Sequence, residues 1–407
     1  MDFRFVMFDL QRGTCSPVAP GRDIKNIKSH FKHHKFKALN KLHPKNMYRS
    51  LFYTFLLPLL FLGCSSEEQP PPGPYIKLEG KTMGTSYHIT YSDSRQRNFQ
   101  QAVDSLLQII NLEVSTYIEN STISRFNQPD SLFNLAYNPR TQQAGGYSNH
   151  HFLANYFKAR EVYEASEGYF DPTIMPLVNY WGFGYTPKKV VEKVDSVAID
   201  SLMQFVGFGK ISLRVNGKDS LLVKTAPGVQ LDFSALAKGY GVDEAARLLA
   251  GRGVQHYMVE IGGEVTAQGQ SPRGGDWKIG INVPREDAGM QDIQTAVPLH
   301  DQALATSGNY RNFYEVDGAK YSHTISPFTG FPERSTLLSA SVFAPDCMTA
   351  DAYATAFMAM GLEKAFALAS RLPDIEGYFL FNQEDGTLGV RYTEGLRPLF
   401  EKEEEKR

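Results

Sequence analysis

Apolar residues recur at helical spacing in three windows. Over 99–114, Val103, Leu106, Leu107 and Ile110 fall every three or four positions, as one face of an amphipathic helix requires. Over 152–167, Tyr156, Ala159 and Tyr163 share a face, and Gly168 is the stop. From Ser234, a residue able to cap, the apolar positions are Leu236, Val242, Ala245, Leu248 and Leu249, with Gly251 and Gly253 at the end. A late helix runs from about 349 to 360 and stops at Gly361. Residues 87–91 alternate like a strand, and 229–233 and 257–261 read as short strands, so 229–261 predicts a strand–helix–strand unit. Residues 265–269 and 277–281 flank the turn-rich 270–276 and predict a hairpin. Helices mixed with hairpins predict an α+β fold.

The chain has 407 residues, 42% hydrophobic and 21% charged. That length allows one large domain or two or three smaller ones, and that composition excludes a mostly disordered chain, a collagen-like repeat and a polytopic membrane protein. A net charge of -2 gives no electrostatic case for a nucleic-acid partner. The average hides a split. Residues 1–46 carry ten Lys/Arg against three Asp; taken from totals of 42 and 44, this leaves 32 basic and 41 acidic residues in the rest, a net of -9.

The apolar run 51–63 is too short for a membrane-spanning helix, which needs roughly 20 residues, and Pro58 interrupts it. With Lys45 and Arg49 before it and Gly63-Cys64 at its end, it reads as a bacterial lipoprotein signal over 47–63, with Cys64 the acylated residue. Met47 makes a normal signal-peptide start, which marks 1–46 as an untranslated or disordered basic leader. Residues 64–77, with Ser65-Ser66-Glu67-Glu68 and a proline run, form a tether. The folded domain is expected over 78–400, and the charged 401–407 as a solvated tail. Of the three cysteines, Cys15 lies in the leader and Cys64 is the lipid site; Cys347 alone remains, so the exported body holds no internal disulfide.

Four constellations carry candidate chemistry. Gly168-Tyr169-Phe170-Asp171-Pro172-Thr173, followed by Trp181-Gly182-Phe183-Gly184, sets aromatic faces and a carboxylate on a Gly/Pro-rich loop; it suits a planar ring, or a loop packed on the core. Asp232 through Lys238 puts a carboxylate, a helix N-terminus and an ammonium together; it suits phosphate, or a capped helix with a solvated lysine. Asp351 and Thr355 at i, i+4 share a helix face and offer hard oxygens suited to Mg²⁺, although an Asp near a helix start is commonly a cap. His323, among small polar residues after Ala305-Thr306-Ser307-Gly308-Asn309, can act as a general base or bond backbone. No GxxxxGK[ST] or GxGxxG motif is present.

In order along the chain these pieces resemble the ApbE family, the FAD:protein FMN transferases. The resemblance also takes in Met83-Gly84-Thr85-Ser86-Tyr87, Ser115-Thr116-Tyr117, Ser124-Arg125-Phe126-Asn127 and Gly262-Gly263-Glu264. It spans roughly 78–400 and implies an ApbE-like, T-fold-like domain of two subregions. It implies transfer of FMN from FAD to a Thr or Ser hydroxyl, with Mg²⁺ and release of AMP. FAD would meet Met83, Tyr117, Tyr169, Phe170, Asp171, Asp232, Lys238, Thr324 and Ile325. The metal would be held by Asp351, Thr355 and the backbone carbonyl of Ala235, and His323 would serve the transfer. The acceptor would be a flavoprotein with an Asp-x-x-Ser/Thr-type loop, such as a redox-driven ion-pump subunit. Lipid anchoring at Cys64, on the periplasmic side of the inner membrane, agrees with the export common in the family. Two departures stand out: Ser326 replaces the usual Asp after the histidine, and Glu264 replaces Asp after the two glycines. The same site allows two other readings, an FAD pyrophosphatase and a flavin-binding lipoprotein without catalysis.

Overall fold

The computed structural model describes residues 72–404 apart from 146, 185–193, 217–218, 286–291, 310–312, 317–318, 323 and 334. His323 and Cys64 therefore lie outside the described residues, as do the leader and the signal segment.

Eight strands form one sheet: β1 (Tyr75–Thr82), β2 (Thr85–Ser92), β3 (Tyr257–Ile261), β4 (Glu264–Gln268), β5 (Gln302–Gly308), β6 (Leu337–Ala344), β7 (Glu376–Asn382) and β8 (Leu388–Tyr392). Their order across the sheet follows their order in the chain, and every neighbouring pair is antiparallel. The first strand begins three residues before the expected domain start at 78. Four helices dominate: α1 (Gln100–Val114), α2 (His150–Ala165), α3 (Ala237–Ala250) and α4 (Cys347–Met360). Among the described residues no helix is long and apolar enough to cross a membrane.

The sheet is buried on both faces, and its side chains alternate between two apolar clusters as a period of two demands. Val259, Ile261, Ala303, Ala305, Ala340, Val342 and Phe379 pack with α1, α3 and α4. Val265, Ala267, Leu304, Phe343, Tyr378 and Leu380 pack on the other side with Trp277, Ile281, Val297 and Leu299.

The long helices agree with their periodicity. α4 is capped by Asp346, whose side chain accepts from Thr349 N, and ends at Gly361, where φ is +73°. Asp351 is therefore not the cap.

Three expectations are corrected. Residues 229–233 form no strand: Val229, Leu231 and Phe233 alternate into the core, but Leu231 bonds the Asn127 side chain and Asp232 N donates to Pro172 O. Ser234 does not cap α3, which begins at Ala237; its N–H and hydroxyl both donate to the Asp232 carboxylate. The 265–281 hairpin does not form either. β4 pairs with β3 and β5, while Trp277–Asn282 pairs with Ile293–Leu299. A helix over Arg397–Glu404 overlaps the first residues of the 401–407 segment.

Candidate active site

The antiparallel order brings several loops to one end of the sheet. The β1–β2 turn at Met83-Gly84 and the β3–β4 turn at Gly262-Gly263 share that end, because Tyr87 pairs with Ile261. The end of β5 and the start of β6 reach it too, since Gly308 pairs with Ser339. The N-terminus of α3 sits beneath these turns. A Cβ on Gly241 would come within 2.9 Å of Met83 Cε, and one on Gly262 within 3.3 Å of Lys238 Cδ.

α3 and α4 cross at Gly239. A Cβ there would run into the Cys347 carbonyl oxygen and come within 2.8 Å of Met348 Cα, so only glycine permits the approach. The approach has a chemical result. Gly239 N, a first-turn N–H of α3 that has no acceptor within its own helix, donates to Asp351 Oδ2 at 3.0 Å. Thr355, one turn further along α4, lies 3.3 Å from Ser307 Oγ on β5. Asp351 and Thr355 on α4 and the turn bearing Ala235 are thereby gathered from two distant segments.

Lys238 Nζ lies 2.8 Å from Glu264 Oε1 and 3.8 Å from Asp351 Oδ1. Both carboxylates are buried. Burial pushes the Glu264 carboxyl up to about 7; Lys238 pulls it down and the like charge of Asp351 pushes it further up. Burial likewise raises Asp351, against Lys238 and the Gly239 N–H. For Lys238 burial opposes charge, yet Asp351 and Glu264 override it and hold the ammonium above its ordinary range. Burial pushes the free, buried Cys347 thiol well up, which makes it a packing residue rather than a nucleophile.

A second group of sequence-selected residues lies around the 168–173 loop. Tyr169 packs edge-on against Phe328 at 4.7 Å, and its hydroxyl bonds Lys364 Nζ. Phe170 turns into the main core. Asp171 accepts from Thr173 N and Thr173 Oγ1 at 2.8 and 2.6 Å, and burial pushes its carboxyl up to about 6. The Pro172 carbonyl accepts from Asp232 N at 2.8 Å, tying this loop to the Asp232 turn. Asn127 brackets the same turn through the Leu231 backbone. Tyr117 is exposed, with the Asp232 carboxylate near enough to interact. Thr324 and Ile325 are buried; Thr324 Oγ1 donates to Asn309 Oδ1 at 2.7 Å. Ser326 N and O bond Phe331 and Gly330, so the loop closes without the missing Asp.

Another set of metal-ligating side chains, Glu113, His150 and His151, has ligand atoms within 4.8 Å of one another. Glu113 already accepts from Tyr147 OH and Phe152 N, and His151 Nδ1 pairs with Tyr240 OH, so these groups serve packing.

The ApbE family model matches residues 83–379. The chain belongs to the ApbE family. This ApbE chain is similar to the FAD:protein FMN transferase of Haemophilus influenzae, with 35% identity over 317 residues, 76% of this chain and 88% of that protein. Its likeness to the Vibrio cholerae FAD:protein FMN transferase is 36% over 315 residues, 76% and 87% of the two chains. Among solved structures, the flavin transferase ApbE from Vibrio cholerae superposes with a TM-score of 0.69 at 33% identity, over 81% of this chain and all of that one. The apo form of the Pseudomonas stutzeri flavinyl transferase ApbE gives 0.67 at 30%, over 81% and 97%. The α+β ApbE fold expected from the sequence is the observed one. Glu264, Asn127 and Phe328 join the site without having been singled out as site residues. Glu264 and Asn127 each lay in a stretch that carries the resemblance, one after the double glycine and one at the end of Ser124-Arg125-Phe126-Asn127.

Proposed function

We propose that this chain is an FAD:protein FMN transferase. It moves FMN from FAD to a Thr or Ser hydroxyl of a target flavoprotein and releases AMP, using Mg²⁺. The observation that carries this reading is the α3–α4 crossing, where buried Asp351 is locked to Gly239 N beside Lys238, one turn from Thr355. A flavin store would have no need of buried carboxylates massed beside a phosphate-binding helix start.

The residues fit a hard divalent cation. Among the described residues, two buried carboxylates share a single ammonium, and Glu264 Oε2 is buried with no hydrogen-bond partner. Asp351, Thr355 and the Ala235 carbonyl would hold the ion. When bound, it supplies charge neutralisation at the pyrophosphate. Tyr117 offers an exposed ring face and Tyr169 a half-buried one to a planar ring of FAD, with Met83, Asp171 and Asp232 at the edges. Phe170, Thr324 and Ile325 contribute through backbone groups, since their side chains are buried. In the transfer, the acceptor oxygen bonds the FMN-side phosphorus and the bond from that phosphorus to the bridging oxygen breaks. AMP departs with the bridging oxygen, stabilised by Lys238, and the hydroxyl proton passes to His323. The acceptor is a flavoprotein loop of the Asp-x-x-Ser/Thr type, as on redox-driven ion-pump subunits. The enzyme works outside the cytoplasm, lipid-anchored through Cys64 to the inner membrane.

Intact-mass spectrometry tests the reading. The chain is incubated with FAD, Mg²⁺ and a domain carrying such a loop. The expected result is a gain of one FMN, lost without Mg²⁺, with an acceptor Thr→Ala, or with Asp351→Ala. Transfer by Asp351→Ala at the wild-type rate would refute the metal assignment. AMP and free FMN without a mass gain would make the chain an FAD pyrophosphatase.

A further inference from the structure

Glu264 opens β4 directly after the Gly262-Gly263 turn and is 5% exposed. One carboxylate oxygen meets Lys238 Nζ at 2.8 Å; the other, Oε2, is buried and has no hydrogen-bond partner among the described residues. A structural ion pair balances one charge with one. Here Asp351 stands 3.8 Å from the same ammonium, so the three side chains carry a net negative charge in a buried place. That charge repels the pyrophosphate that Lys238 is positioned to meet. A dication reverses the sign, and the bare Oε2 is an oxygen donor already stripped of water.

We propose that Glu264 is a second acidic residue of the cation site. It offers Oε2 to the divalent ion, directly or through one of the waters that Mg²⁺ keeps, alongside Asp351, Thr355 and Ala235. Because Oε1 holds Lys238, Glu264 also fixes the ammonium next to the ion, so the two positive charges that face the phosphates are set by one carboxylate. The inference rests on the cation reading of Asp351.

Mn²⁺ titration followed by electron paramagnetic resonance, on the full chain without FAD, tests it. Wild type is expected to bind one Mn²⁺, Asp351→Asn to lose it, and Glu264→Gln to bind about tenfold or more weakly, the scale for residues that support metal ligands. Glu264→Ala is expected to show the same loss. Glu264→Gln, which keeps the side-chain volume and leaves Lys238 beside Asp351, should melt in EDTA at or above the wild-type temperature, because it removes a buried carboxylate oxygen without a partner. A Glu264→Gln affinity within twofold of wild type, with Asp351→Asn deficient, would overturn the role of Glu264 and leave the cation site standing. Absence of Mn²⁺ binding in wild type, or binding unchanged in Asp351→Asn, would overturn both. Melting of Glu264→Gln well below wild type in EDTA would assign the residue to packing and overturn the inference.

Discussion

At the scale of single residues, the site's chemistry comes from carboxyls held where water is scarce. Asp243 shows the effect away from the reacting groups. It sits on α3 and accepts from Cys347 N and Met348 N at 2.8 and 2.9 Å, which anchors the start of α4. Burial nevertheless pushes its carboxyl up to about 7, against those two N–H groups. The folded state thus holds a proton that the unfolded chain releases near the ordinary aspartate value of 3.8. Between those values the native state binds more protons, so stability is fully present below the lower one and falls as pH rises towards 7. Asp171 and Glu264, raised to about 6 and about 7, act with the same sign. Melting temperatures of the metal-free chain are expected to fall from pH 5 to pH 7 and then level. Asp243→Asn should flatten that slope; an unchanged slope would show that Asp243 does not titrate there. Little of this was readable from sequence. Asp351 and Thr355 announced a shared face by their spacing, but only the fold reveals that Lys238 is shared by two carboxylates, since Glu264 lies 26 positions beyond it.

At the scale of elements, the site exists because two helices touch at a glycine. Gly239→Ala adds a Cβ that collides with Cys347 O and Met348 Cα, backbone atoms that cannot rotate away. The helices must separate, which weakens the Gly239 N to Asp351 bond. Overpacking of this kind costs about 1–3 kcal/mol. Urea unfolding should show that loss, and the variant should also need more Mg²⁺ for flavin transfer. A variant as stable as wild type, with an unchanged Mg²⁺ requirement, would mean the crossing is not tight. The helices themselves were legible because periodicity and stops are local: the apolar row of α1 and the Gly361 stop of α4 need only a few neighbouring residues. The failures share one cause. Residues 229–233 carry alternating burial, yet their backbone bonds a side chain about a hundred positions away and a proline carbonyl, not a strand. β4 has the pattern of a hairpin arm, but its partners are β3 before it and β5 beyond an intervening hairpin. Alternation fixes which side is buried and leaves the partner open.

At the scale of the whole molecule, an acidic body begins at Tyr75 and sits behind a segment with the marks of a lipid anchor. The proposal that Cys64 carries lipid has a functional consequence beyond location. Eleven steps separate Cys64 from Tyr75, and at about 3.5 Å each the tether reaches at most roughly 40 Å. An acceptor loop on a membrane protein would then meet the enzyme in a thin layer at the bilayer surface, where tethering replaces free diffusion with a high effective concentration. Cys64→Ser is expected to leave the membrane fraction. It should transfer FMN to a soluble acceptor domain at the wild-type rate, because no described site residue lies near position 64 in sequence. With an acceptor embedded in the same membrane it should fall behind by tenfold or more, and the deficit should shrink when the variant is supplied in excess. Mass spectrometry of the wild type should find Cys64 as the modified N-terminus and no peptide from 1–63. Two results would end the anchor proposal: a Cys64→Ser chain that remains in the membrane fraction, or a mature protein that retains residues of the signal segment.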